Sequence, residues 1–262
     1  MQRERVYQTE ALVIRSMDYA EADRILTLLT PGGKRRVIAK GIRRPTSRKA
    51  GHLGLFHRAR VMLAKGRNLD IVTQAESLEE FEGLATDLLR FTYACYVGEL
   101  LDRFAQEEEE IPSLYKLAVS TLRRLSTEED LPIWVRYFEL QLLRTAGYQP
   151  ELFVCVECHE EIRPQSNYFD PEFGGLLCDR CGPVQPQAVA VSLNAQKVMR
   201  YLYRHSASEV GTLHVGSATH AEVESLLHAY LEHILERKVQ SVDFLRRLRQ
   251  ELRQAQRQPN QH

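Results

Sequence analysis

The sequence predicts an α+β chain: a β-rich N-terminal lobe, then a helical body interrupted by a four-cysteine module. Three observations predict it. Short β-branched runs separated by turn residues fill residues 6–76. From Leu84 onward the apolar spacing changes to that of a helix. Two Cys-x-x-Cys pairs, Cys155/Cys158 and Cys178/Cys181, stand inside the helical half, separated by residues 159–177.

The first run, Val6 to Ile14, is rich in strand formers. Arg24 to Thr30 follows and meets Pro31-Gly32-Gly33, a turn signal, after which Arg35 to Ala39 resumes a strand. Arg58 to Ala64 turns at Lys65-Gly66-Arg67-Asn68 and returns as Leu69 to Gln74. Five short strands in a segment this small fit a closed β-barrel of the OB-fold size. Gly41 to Phe56, rich in Gly, Pro, Ser and Arg, reads as a loop. In the second half, Leu89, Tyr93, Tyr96, Leu100 and Phe104 share a helix face, which Glu107–Glu110 and Pro112 are expected to end. Leu114 to Leu125 form a second helix. Ser126-Thr127-Glu128-Glu129 matches a capping box, with Pro132 in the first turn of a third helix that Gly147 and Pro150 close. Ser192 to His205 reads as a helix, and a further stripe runs from Val223 to Leu235 and on through Val242, Leu245 and Leu248. The expected domains are 1–82 for the barrel, 83–150 with 187–250 for the helical body, 151–186 for the inserted module, and 251–262 for a polar tail.

With 262 residues and 44% hydrophobic content, the chain can bury a substantial core, which excludes wholesale disorder. Met1 to Arg5 is polar and resembles no signal peptide, and no apolar run is long enough to span a bilayer. A cytoplasmic location with reduced thiols is the expectation, with no membrane partner. In that setting two Cys-x-x-Cys knuckles are a zinc signature. Each knuckle places two thiolates about one ion, and Cys155, Cys158, Cys178 and Cys181 complete a closed tetrahedron with no open catalytic position. Tyr168-Phe169 and Phe173 to Leu176 predict a hairpin beside it, and lone Cys95 reads as a core residue.

The net charge is zero, but its distribution is uneven. Residues 24–69 contain no Asp or Glu and 13 basic residues: Arg24, Lys34, Arg35, Arg36, Lys40, Arg43, Arg44, Arg48, Lys49, Arg58, Arg60, Lys65 and Arg67. The rest of the chain is therefore acidic overall. A positive field of this size on one small lobe attracts a polyanion, with counterion release driving the association. His52, Phe56 and His57 are candidates for stacking on bases.

Motifs for catalysis are missing. Gly32-Gly33-Lys34 is only a fragment of a phosphate loop, there is no His-Glu-x-x-His, and His228 and His233 are five apart, the wrong spacing for one metal on one helix face. No catalytic residue is assigned and no enzyme is expected.

Several segments occur in a familiar order. Ala11–Arg15 and Asp18–Thr30 resemble an opening strand pair, and Gly33-Lys34 with Ala39–Arg44 a basic third strand and loop. Phe138–Leu143 with Ala146–Pro150 resembles a stretch preceding zinc knuckles, and Leu235–Leu245 a closing helix. Together with the double knuckle, this order resembles the RecO-type DNA repair and recombination mediators of bacteria. The resemblance implies an N-terminal OB-fold, a helical domain and a structural Zn2+ module. It further implies binding of single- and double-stranded DNA, annealing of complementary strands, and work with RecR to load RecA on DNA covered by single-strand-binding protein. It implies a bacterial, nucleoid-associated protein; the residues leave the oligomeric state open, with a monomer favoured. Only the four cysteines and the basic positions around residues 34–49 carry over by position. One departure is His159, where the family often has glycine. The competing readings are an RNA-binding OB/zinc-ribbon factor, a nuclease using acidic residues, and a partner-binding scaffold.

Overall fold

The structure is a computed structural model that describes residues 6–107 and 109–257. Its packing forms two compact units, one from residues 1–128 with 239–262 and one from residues 129–238.

In the first unit, β1 (Val6–Tyr19), β2 (Asp23–Thr30), β3 (Gly33–Ala39), β4 (Arg58–Ala64) and β5 (Asp70–Glu79) form a closed barrel in the order β1-β2-β3-β5-β4. Neighbours are antiparallel except β3 and β5, which pair in parallel at Val37↔Asp70 and Ile38↔Ile71, and β1 closes onto β4. The strands alternate as a one-sided sheet requires. In β4, Ala59, Val61 and Leu63 are fully buried, while Arg58, Arg60 and Met62 face outward. Leu26, Leu28, Val37, Ala39 and Val72 join them in the barrel core.

Four helices complete this unit: α1 (Gly83–Thr86), α2 (Leu88–Phe104), α3 (Pro112–Thr127) and, from the far end of the chain, α8 (Gln240–Arg257). The Asp87 carboxylate accepts from the N–H groups of Leu89 and Arg90 and so caps α2, an arrangement worth about 1 kcal/mol. α2 lies close to the barrel at Gly98. A Cβ there would stand 2.9 Å from the Phe56 ring and 3.3 Å from the Ile14 carbonyl oxygen. Val242, Leu245 and Leu248 bury one stripe of α8, which packs along α2.

The second unit holds α4 (Leu131–Thr145), α5 (Leu193–Arg204), α6 (Ala207–Val210) and α7 (Ser217–Leu235) with a small sheet. That sheet contains β6 (Asn167–Asp170), β7 (Gly175–Leu177) and β8 (Val189–Val191), in the order β7-β6-β8. The expected hairpin is β6–β7; β8 is a third strand that the sequence did not signal. α4 and α7 bury an ionic cluster as well as apolar residues. Arg136 pairs with Glu139 at 2.7 Å and with Glu224 at 3.9 Å, and the His228 ring lies 3.7 Å from the Glu139 carboxylate. Arg136 and Glu139 are almost wholly buried, and removing one partner of such a pair leaves an uncompensated charge.

Several expectations are corrected by packing. Packing groups α2, α3 and α8 with the barrel and α4 to α7 with the cysteine module. Pro112 does not end a helix; it starts α3, at a first-turn position where its missing N–H has no intrahelical acceptor to lose. Ser126 forms no capping box, because α3 continues through Thr127 and the Ser126 hydroxyl donates back to the Arg123 carbonyl. Asp130 caps α4 instead, accepting from the Ile133 N–H at 3.3 Å. α8 extends through Arg257, into the expected polar tail; residues 258–262 and Met1 to Arg5 lie outside the described residues. Among the described residues no helix is long and apolar enough to cross a membrane.

Candidate thiol cluster and nucleic-acid interface

The two Cys-x-x-Cys knuckles converge. Ligand atoms of Cys155, Cys158, Cys178 and Cys181 all lie within 4.8 Å of one another, and Cys158 Sγ is 3.8 Å from Cys178 Sγ. A tetrahedral ion with ~2.3 Å bonds to sulfur separates its ligands by ~3.8 Å, so the spacing fits a single four-coordinate metal. Tight backbone turns produce it. His159 N–H donates to the Cys155 carbonyl and Gly182 N–H to the Cys178 carbonyl, each at 2.9 Å. Gly182 is required by close approach, since a Cβ there would lie 2.2 Å from the Tyr168 ring. His159 adopts φ +59°, the left-handed region that favours glycine.

The thiols are electrostatically interdependent. Burial pushes the Cys178 thiol up, but the N–H groups of Cys181 and Arg180 and the neighbouring thiols outweigh it and bring it down to about 6. Burial and the surrounding thiols push Cys181 up to about 12. Four crowded thiols compete for negative charge, and a divalent cation at their centre lets all four ionise.

The cluster is joined to the helices by a buried amide pair. Asn167 Nδ2 donates to Gln196 Oε1 at 3.0 Å, and Gln196 Nε2 donates to the carbonyls of Gln165 and Val191. Phe169 packs edge-on against Tyr230, 5.8 Å between centroids.

The thirteen basic residues of the barrel divide into three groups. Three are structural. Lys34 bonds the carbonyl oxygen of Asp102 and lies 3.3 Å from its carboxylate. Lys49 donates to the Val72 carbonyl at 2.9 Å, anchoring the loop on β5, and burial lowers its pKa. Arg58 is held by Glu10 at 2.8 Å, Tyr115 at 3.2 Å and Glu79 at 3.5 Å. A second group makes surface contacts: Arg24 and Arg43 with Asp18, Arg60 with Glu76, Lys65 with Asp70, and Arg35 over the Tyr7 ring. Arg36, Lys40, Arg44, Arg48 and Arg67 are exposed. Among the described residues none of these five has an ion pair or a side-chain hydrogen bond. Arg36 stands on the outer face of β3, Lys40, Arg44 and Arg48 in the loop that follows it, and Arg67 in the β4–β5 turn.

The family profile described as Recombination protein O N terminal matches residues 1–81, and that described as Recombination protein O C terminal matches residues 85–243. The chain belongs to the RecO family. It is 46% identical over 251 residues to the DNA repair protein RecO of Roseiflexus sp. (strain RS-1), covering 96% of this chain and 89% of that one. It is 41% identical over 244 residues to the DNA repair protein RecO of Desulforudis audaxviator, covering 92% and 97%. With that of Dehalococcoides mccartyi (strain ATCC BAA-2266) the identity is 35% over 240 residues, covering 91% and 94%.

In this RecO-family chain the aromatic expected to stack on bases is unavailable. Phe56 is 3% exposed, and its ring packs on Phe91 at 5.8 Å. The His52 ring is engaged with the Ser77 hydroxyl at 2.9 Å. Two features of the surface escaped the sequence reading. Met17 and Tyr19 are exposed because β1 continues past Ile14, a continuation that the alternation Arg15, Met17, Tyr19 signals. Arg246 and Arg247 are exposed on α8, within the same unit as the barrel, between the buried apolar positions Leu245 and Leu248.

Proposed function

We propose that this chain is a non-enzymatic DNA-binding mediator of recombinational repair. Its barrel is an OB-fold, a reading supported by five strands closed in the order β1-β2-β3-β5-β4. The observation that carries the function is the set of exposed, unpaired cations Arg36, Lys40, Arg44, Arg48 and Arg67 on a barrel whose other cations are already engaged. These five grip phosphates directly, and Arg24, Arg35, Arg43, Arg60 and Lys65 exchange their surface contacts for phosphate when DNA binds. Lys34, Lys49 and Arg58 keep the barrel in shape beneath them.

Annealing follows from this surface without a nucleophile or a nucleotide. A cationic lobe screens the repulsion between two strands and raises their local concentration. In the cell the chain would act with RecR to load RecA on DNA covered by single-strand-binding protein. Cys155, Cys158, Cys178 and Cys181 would hold one zinc ion, which supplies folding energy to its module. With four thiolate ligands it has no position for a reacting water.

Strand annealing measured against salt, with and without single-strand-binding protein, tests the proposal. Annealing should be fast at low salt, fall steeply as salt rises, and persist on covered strands. Annealing that is flat across salt and abolished by the covering protein would contradict it. Magnesium-dependent cleavage of labelled DNA would favour a nuclease, and preference for RNA over a matched DNA strand an RNA-binding factor.

A further inference from the structure

The acidic run Glu107–Glu110 belongs to neither the thiol cluster nor the basic surface, yet it is seated on the barrel that carries that surface. β5 reaches β3 only at Val37 and Ile38, which leaves the first half of β3 with an open edge. Open strand edges are usually covered. Here the cover is the segment joining α2 to α3. The Lys34 N–H donates to the Gln106 carbonyl at 3.0 Å, and Lys34 and Glu107 form a parallel bridge. The chain then crosses Gly33. A Cβ on Gly33 would stand 2.5 Å from the Glu109 carbonyl oxygen and 2.8 Å from the Glu109 nitrogen. Only glycine permits that approach, and Gly33 also adopts φ +94°. A merely solvated helix end needs neither a strand bridge nor a glycine contact to hold its glutamates.

This seat sets carboxylates beside cations that would meet phosphate. Lys34 and Arg36 stand two apart on β3 and so share a face. Glu107, Asp102, Lys34 and Arg36 line one hollow of about 300 Å³. Asp102 is engaged there, facing Lys34 and Arg15, each at 3.3 Å. Glu107, Glu109 and Glu110 are not. They are exposed, and among the described residues none of the three has an ion pair or a side-chain hydrogen bond. No structural partner therefore neutralises them. Arg36 is equally exposed and without an ion pair among the described residues. A phosphate arriving at Arg36 meets the field of these carboxylates. Lys40, Arg44 and Arg48 follow the opposite end of β3, away from the bridge at Lys34.

We infer that residues 106–110 are an electrostatic brake built into the barrel, whose carboxylates oppose the phosphate that Arg36 attracts and so hold down the affinity for polyanions. This rests on the DNA-binding reading above and adds regulation to it. The loop cations capture a strand, and the brake keeps the complex from becoming too tight to release the duplex that annealing forms. Like charges ~10 Å apart in water change binding by about twofold per pair, so several carboxylates together act measurably. Salt at about 0.3 M screens charges at that distance, which removes the brake.

Fluorescence anisotropy with the full chain and labelled oligo-dT tests the brake. The triple variant Glu107→Gln, Glu109→Gln, Glu110→Gln keeps the shape of each side chain and removes its charge. At low salt it should bind roughly threefold or more tighter than wild type, and the gap should close at about 0.3 M salt. Glu82→Gln with Glu129→Gln and Glu251→Gln makes the same change in net charge at exposed positions outside the hollow, and should stay near wild type. The gain should shrink in an Arg36→Ala background, where the phosphate nearest the strap is lost. Glu107→Gln alone should move in the same direction, which keeps the test valid if the triple variant is unstable. Strap variants no tighter than the control, a gain that persists at high salt, or a gain undiminished by Arg36→Ala would each overturn the brake and leave DNA binding standing. If Arg44→Glu with Arg48→Glu leaves affinity unchanged, the DNA-binding reading fails and the brake with it.

Discussion

Glu99 holds Ser241 at the start of the C-terminal helix. Glu99 Oε2 accepts from the Ser241 N–H at 2.9 Å and from its hydroxyl at 2.6 Å. Its other oxygen accepts from the Gln240 N–H at 2.9 Å and meets Arg103 at 2.5 Å. A helix leaves its first N–H groups without intrahelical partners. Here a carboxylate from the middle of α2 satisfies two of them, and its charge opposes the positive end of the helix dipole. This contact ties α8 to the barrel unit although the two residues are far apart in sequence.

Glu99→Gln is therefore predicted to loosen α8 by about 1–3 kcal/mol. Burial pushes the Glu99 carboxyl up, but the Ser241 and Gln240 donors and Arg103 hold it below its usual value. A carboxyl depressed in the folded state contributes stability above its unfolded pKa and loses it as pH falls through the folded pKa. Protection factors of the α8 amides against hydrogen exchange should fall on acidification below the ordinary carboxylate range, and the variant should show low protection already at neutral pH. Unchanged protection in the variant would refute the capping role.

The turn after the first knuckle predicts a stabilising substitution. His159 sits at φ +59°, where a side chain costs roughly 1–2 kcal/mol relative to glycine. Glycine loses part of that gain to the extra freedom of its unfolded chain. His159→Gly should raise stability by about 0.5–1 kcal/mol, read as a higher denaturation midpoint. A fall in midpoint would mean that the imidazole makes a stabilising contact.

Metal removal should act on the unit formed by residues 129–238. Elemental analysis of the purified chain should find one zinc per molecule, lost in Cys178→Ser with Cys181→Ser. The loss should lower stability and solubility while the barrel still binds DNA. A fully folded variant that binds no DNA would place the zinc module in the binding surface instead.

The internal cations should separate from the exposed ones. Lys34→Ala and Arg58→Ala are predicted to cost about 1–2 kcal/mol of stability, because each leaves carboxylate or carbonyl partners unpaired. Their effect on DNA affinity should be small once folding is accounted for. If Lys34→Ala weakens binding as much as Arg44→Ala with stability unchanged, Lys34 belongs to the interface.

The cysteine spacing made the thiol cluster legible because each knuckle is a local structure, and turn residues such as Pro31-Gly32-Gly33 made the barrel strands legible for the same reason. The charge window was legible only in part. It holds no acidic residue in sequence, yet Glu10, Asp18, Asp70, Glu76, Glu79 and Asp102 reach its cations from neighbouring strands or from α2. Linear counting does not see such cross-strand partners. Phe56 was misread in the same way: in a polar, glycine-rich loop it reads as exposed, but it is covered because Gly98 lets α2 approach. The grouping of α8 with the barrel depends on Glu99 and Ser241, a long-range contact with no local signal.

The salt dependence of DNA binding by wild type and by Arg44→Glu with Arg48→Glu tests the central claim most directly. If these side chains grip phosphates, wild type should show a steep linear fall of log affinity with log salt, and losing two contacts should make the slope shallower by about 1.4 on a single strand and about 1.8 on a duplex. Affinity at low salt should drop with it. An unchanged slope and affinity on both substrates would contradict the account and leave the basic barrel as a solvated surface.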